Sequence, residues 1–151
     1  MGKIRRDPMA MKPFCGYNFA DYWAHWLSFE QRTDKLPKIF HINWFRQDPE
    51  GRFLWPGFGE NLRVLRWIID RCVGRTGAVV SAIGYLPEEG GIDTRGLDIS
   101  PEVMRELLTI DAGKWRLENE HFAAYLDEFG DRLPPELRAE QQRLASELEK
   151  G

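Results

Sequence analysis

Between Asn43 and Asn61 the chain reads NWFRQDPEGRFLWPGFGEN. Phe58 stands between Gly57 and Gly59, where backbone can come close to a ligand and a ring can stand clear of its neighbours. Phe45 precedes this glycine-rich stretch. Two such rings can sandwich a planar base, and stacking of this kind contributes about 1–3 kcal/mol per base while barely telling one base from another. Discrimination needs directed hydrogen bonds. Asn61 carries an amide that both donates and accepts. Guanine offers an acceptor at O6 beside donors at N1 and N2, and adenine presents a donor at position 6. An amide and backbone groups held at a helix start can therefore select guanine, since an unmade buried hydrogen bond costs about 1–3 kcal/mol. A structural reading stands beside this one. Phe53, Leu54, Trp55 and Phe58 can plug a core beneath the loop, and Asn61 can simply cap a helix.

The elements that must position these residues follow from pattern. Asn18 can cap a helix over about 19–31, with Phe19, Tyr22, Trp23, Trp26, Leu27 and Phe29 on its apolar face. Residues 38–45, KIFHINWF, alternate as a strand does, with Phe40, Ile42 and Trp44 opposite Ile39, His41, Asn43 and Phe45. A loop spans 46–60. A helix over 61–72 has Leu62, Leu65, Ile69 and Cys72 as its expected core stripe, Ile68 adjoining, and Gly74 and Gly77 as its stop. Residues 78–86 fit a short strand or packed extended piece, and 87–99 a glycine-rich acidic loop. Ser100-Pro101 opens a helix to about 109, Asp111 caps another to about 129, and Pro134-Pro135 start a last one to about 150. The class is α+β and helix-rich, with about five helices and one or two short strands that need partners to complete a sheet.

Composition bounds the function. The chain has 151 residues, 42% of them hydrophobic, enough for a real core. A net charge of -3 gives no basic field to draw it to nucleic acid or anionic lipid. No signal-length or membrane-length apolar run occurs, so the expected compartment is the cytoplasm. Cys15 and Cys72 form no CxxC and read as free buried thiols. His25 reads as packed or on the surface, and His121 as on a solvated helix. His41 on the 38–45 strand is the histidine best placed to bond inside a core. None of the three has the partners a metal site needs.

The stretches DPMAMKPFCGYNFADYWAHWL and LPKIFHINWFRQDPEGRFLWPGFGENLRVLRWI resemble the C-terminal region of GTP-dependent phosphoenolpyruvate carboxykinases. FLWPGFGEN at 53–61 is the most specific string, and the similarity continues through IGYLP at 83–87 to about residue 148. The resemblance implies that Phe45 and Phe58 flank the guanine of GTP or GDP and that Phe53 lines the same pocket. It implies that Asn61 bonds the guanine edge, that Gly59 and Glu60 touch the nucleotide, and that Trp44 and Trp55 support the pocket. It implies a parent enzyme that converts oxaloacetate and GTP to phosphoenolpyruvate, GDP and carbon dioxide in gluconeogenesis, as a cytosolic monomer using manganese. The family's manganese ligands, phosphate loop and reactive cysteine lie upstream of the matched region, and no GxxxxGK[ST] string occurs here. No catalytic or metal role therefore passes to this chain. Residues 1–16 are expected to be a lead-in segment, with Met1 to Arg6 as the tail of the family's mobile lid. Residues 17–151 would be the nucleotide-binding part. An inert stand-alone nucleotide-binding module, or a helical interaction module using 111–149, is the alternative. Cys15 and Lys12 depart from the family's usual aromatic and arginine, away from the base contacts.

Overall fold

The computed structural model describes residues 10–150; the expected lid tail lies outside them. The chain divides into two compact units, one from the residues up to Leu36 together with Asp111 onward, the other Pro37–Ile110.

In the first unit, α1 (Phe19–Leu27) starts where expected. The Asn18 side chain accepts the Ala20 N–H at 2.9 Å and so satisfies a donor that the first turn leaves open. A 3-10 turn over Ser28–Gln31 ends the helical run. Phe19, Ala20, Trp23 and Phe129 form the core, with the Trp23 and Phe129 rings 4.7 Å apart. The unit also contains α4 (Ala112–Asp127), capped by Asp111, and α5 (Pro135–Lys150). These two helices pack together. Buried Asn119 donates to the Gln141 carbonyl at 3.3 Å, and Arg116 donates to the Leu148 carbonyl at 2.7 Å. His121 faces solvent beside Glu118, and His25 is exposed with its ring edge against Phe29.

The second unit holds α2 (Asn61–Cys72), the antiparallel hairpin β1 (Val79–Ser81) and β2 (Gly84–Leu86), and α3 (Pro101–Leu108). Val79 pairs with Leu86 and Ser81 with Gly84. Ser100 caps α3 by accepting the Val103 N–H. Trp55, Trp67 and Ile92 are the buried core.

Four expectations are corrected. Residues 38–45 form no strand. Their side chains alternate as a strand's would, Phe40, Ile42 and Trp44 half-buried and Ile39, His41, Asn43 and Phe45 exposed. Among the described residues no ladder partner lies alongside, and the Asn43 side chain takes the Phe45 N–H at 2.9 Å to make a turn instead. His41 is therefore exposed rather than in a core. On α2 the buried face is Trp67 with Val64 and Ile68, while Leu62, Leu65 and Ile69 are exposed. Both stripes have helical spacing. The indole wins because an aromatic ring removes roughly 150–250 Å² from water. Both cysteines are free, but Cys72 is exposed and Cys15 only half-buried.

Candidate functional site

The loop before α2 is held at several points. Leu54 N–H bonds the Arg46 carbonyl at 2.9 Å, and a single bridge pairs Gln47 with Phe53. Inside that turn the Asp48 carboxylate accepts the Arg52 backbone N–H at 2.8 Å and its Nε at 2.7 Å. The backbone N–H is the main cause holding Asp48 below the usual aspartate range. Arg46 reaches the end of α3 and donates to the carbonyls of Glu106, Leu107 and Thr109 at 2.7, 2.9 and 3.3 Å. Lys38 does the same at the end of α2, bonding the Arg71 carbonyl at 3.2 Å. A cation at a helix C-terminus satisfies free carbonyls and complements the dipole.

The four large apolar residues of the loop divide. Trp55 is buried and Leu54 half-buried, while Phe53 is 58% and Phe58 92% exposed. Gly57 makes this division possible. Its φ of 120° and ψ of -173° belong to a region open essentially to glycine alone. That bend turns Phe58 outward, into a 3-10 turn over Phe58–Glu60 that runs straight into α2.

Phe58, Gly59 and Asn61 line one groove of about 510 Å³ together with Ile42, Trp44 and Leu62. Phe45, 72% exposed, stands outside this lining and meets Phe53 edge-to-face, ring centres 6.1 Å apart. So the expected residues fall into two sets: Phe58, Gly59 and Asn61 at the groove, and Phe45 with Phe53 as a neighbouring aromatic pair. Asn61 does not cap α2, whose cap position, Glu60, makes no side-chain capping bond. Its Oδ1 accepts the Trp55 Nε1–H at 2.9 Å. Glu60 turns away to Arg63, at 2.6 Å.

Sequence reasoning missed Leu62 and Leu65, assigning them to the core when they face the groove. Trp67, the largest side chain on α2, was the signal that another face would be buried.

Gly59 and Glu60 also border a second, polar groove of about 580 Å³. Its charges pair off: Arg63 with Glu60, Arg66 with Asp70, Arg95 with Asp93 at 2.7 Å. The Arg66 and Arg95 guanidinium groups hold Asp70 and Asp93 below the ordinary carboxylate range. Three cations matched by three carboxylates leave this groove without excess positive charge. Among the described residues no group of three or more His, Cys, Asp or Glu side chains could hold a metal ion. No helix among them is long and apolar enough to cross a membrane.

The groove combines an apolar lining, one outward ring and one oriented carboxamide at a helix start, the mix of apolar surface and few placed polar groups typical of small-molecule sites. Residues 1–147 match the family model described as the phosphoenolpyruvate carboxykinase C-terminal P-loop domain. Proteins named "Phosphoenolpyruvate carboxykinase [GTP]" are similar throughout: 51% identical over 141 residues in Treponema pallidum strain Nichols, covering 91% of this chain and 23% of that protein. The Chlamydia trachomatis protein is 49% identical over 149 residues, with 98% and 25% covered, and that of Neocallimastix frontalis 51% over 150 residues, with 97% and 24% covered. The chain belongs to the GTP-dependent phosphoenolpyruvate carboxykinase family and corresponds to its C-terminal part. It spans about a quarter of the length of these relatives.

Proposed function

We propose that this chain supplies the guanine-nucleotide-binding part of a phosphoenolpyruvate carboxykinase. The observation that carries this reading is the pairing of a 92% exposed Phe58 with a groove-lining Asn61, at residues inside the family-specific FLWPGFGEN string. The base stacks on Phe58, and the Phe45–Phe53 pair supplies the second aromatic wall. Asn61 bonds the purine edge. Gly59 leaves room: a Cβ built there meets nothing within 4 Å, so the protein itself does not require glycine at that position.

The whole enzyme would transfer the γ-phosphoryl group of GTP to oxaloacetate as carbon dioxide leaves, giving phosphoenolpyruvate and GDP. Phosphoryl transfer of this kind rests on positioning and on charge stabilisation. Manganese, which the family resemblance implies, does not fit the described residues of this chain. We place the enzyme in the cytoplasm as a monomer. The chain alone binds nucleotide without turnover, because no phosphate loop string occurs in it. Tryptophan fluorescence tests the binding, since Trp44 lines the groove and Trp55 bonds Asn61. GDP should quench and ADP should not; an equal response to both refutes guanine recognition. A coupled assay should detect no GTP-dependent decarboxylation of oxaloacetate by the chain alone.

A further inference from the structure

A carboxamide by itself is a poor judge of purines. Turned one way it offers two N–H donors, and turned the other way it offers an acceptor. Rotation about one bond would let the same side chain greet the 6-oxo group of guanine or the 6-amino group of adenine. Some other group must fix the orientation if Asn61 is to discriminate.

The structure assigns that task to Trp55. An indole N–H can only donate. The amide atom 2.9 Å from Trp55 Nε1 is therefore the oxygen, on chemical grounds and not by shape alone. The indole itself cannot swing away. It is 6% exposed, packed in the core with Trp67 and Ile92, and the Trp44 ring lies 6.0 Å from it. With Oδ1 held, Asn61 Nδ2 is the end left to a ligand, and no hydrogen bond among the described residues occupies it. The groove thus meets a base with the donor end of the amide, the oxygen end being turned to Trp55. A 6-oxopurine accepts from it, whereas a 6-aminopurine sets donor against donor. Trp55 is a positioning residue that acts through Asn61, and guanine selectivity depends on its N–H more than on its bulk. This rests on the guanine reading of the groove.

The test keeps the ring and removes the proton. In the full chain, Trp55 is replaced by 3-benzothienylalanine, in which sulfur stands for the indole N–H, and separately by 5-fluorotryptophan, which keeps it. Calorimetry with GDP and with ADP then gives the preference for each protein. The benzothienyl chain should lose about tenfold of the GDP preference, as expected for one mis-set hydrogen bond, and the fluorotryptophan chain should keep it. A benzothienyl chain that stays folded with its preference intact overturns the role of Trp55 and leaves the guanine reading standing. A natural chain with no GDP preference removes both. Should the benzothienyl chain fail to fold, proton exchange in the natural chain decides. A Trp55 Nε1 proton protected from solvent exchange supports the lock, and one exchanging as fast as a free indole overturns it.

Discussion

Phe58 and Gly57 make separable contributions to the site. Phe58 is so exposed that Phe58→Ala should leave the melting temperature within about 2 °C, since a surface change of this kind costs under about 0.5 kcal/mol. It should nonetheless weaken GDP binding by about 1–3 kcal/mol, the usual worth of one stacked base. Calorimetry and a thermal melt on one sample read both. Gly57→Ala should do the reverse of a surface change and destabilise by about 1–3 kcal/mol, because alanine resists the φ of 120° found there. Gly59→Ala offers a sharper contrast. No protein atom opposes its Cβ, so stability should hold, and any lost GDP affinity would come from contact with the nucleotide. Denaturant titration of the two alanine variants separates them.

Helix α2 tests which apolar stripe faces the core. Ile68→Ala should cost about 1–3 kcal/mol as the truncation of a half-buried side chain packed on the core, and Leu62→Ala, 70% exposed, under about 0.5 kcal/mol. Equal costs in urea unfolding would restore the stripe that residue spacing alone suggested. The same element shows how much could be read beforehand. The bounds of α2 were legible, because Gly74 and the FGEN start punctuate it. So were the caps at Asn18, Ser100 and Asp111, which act through neighbours two or three residues away. The buried face was not, since two stripes share the 3.6-residue period and only tertiary packing chooses between them. The KIFHINWF segment shows the same limit. Its alternation was visible, but a strand needs a ladder partner, and sequence does not say whether one stands alongside. At the site, the aromatic types and Asn61 could be named in advance. The bond from Trp55 could not, because it depends on how the Pro56-Gly57 bend folds the loop back on itself.

Across the whole molecule the ionic groups set a pH response. Asp48, Asp70, Asp93 and Asp111 all have pKa values below the ordinary aspartate value, through the Arg52 backbone N–H, Arg66, Arg95 and the Lys114 backbone N–H respectively. A carboxylate whose folded pKa is depressed adds stability that is fully present above its unfolded pKa and is lost as pH falls towards the folded one. The melting temperature should therefore stay level from pH 7 to about 5 and fall below about 4, where aspartates of the unfolded chain take up protons. Rising stability on acidification would contradict these pairings.

The chain belongs to the carboxykinase family, and the proposed base recognition at Phe58 and Asn61 is open to direct measurement. The most direct measurement is a calorimetric titration of the 151-residue chain with GDP and with ADP under one buffer. Tighter binding of GDP, lost on Asn61→Ala, is the predicted result. Equal affinity for the two nucleotides, or a GDP preference that survives Asn61→Ala, would contradict it.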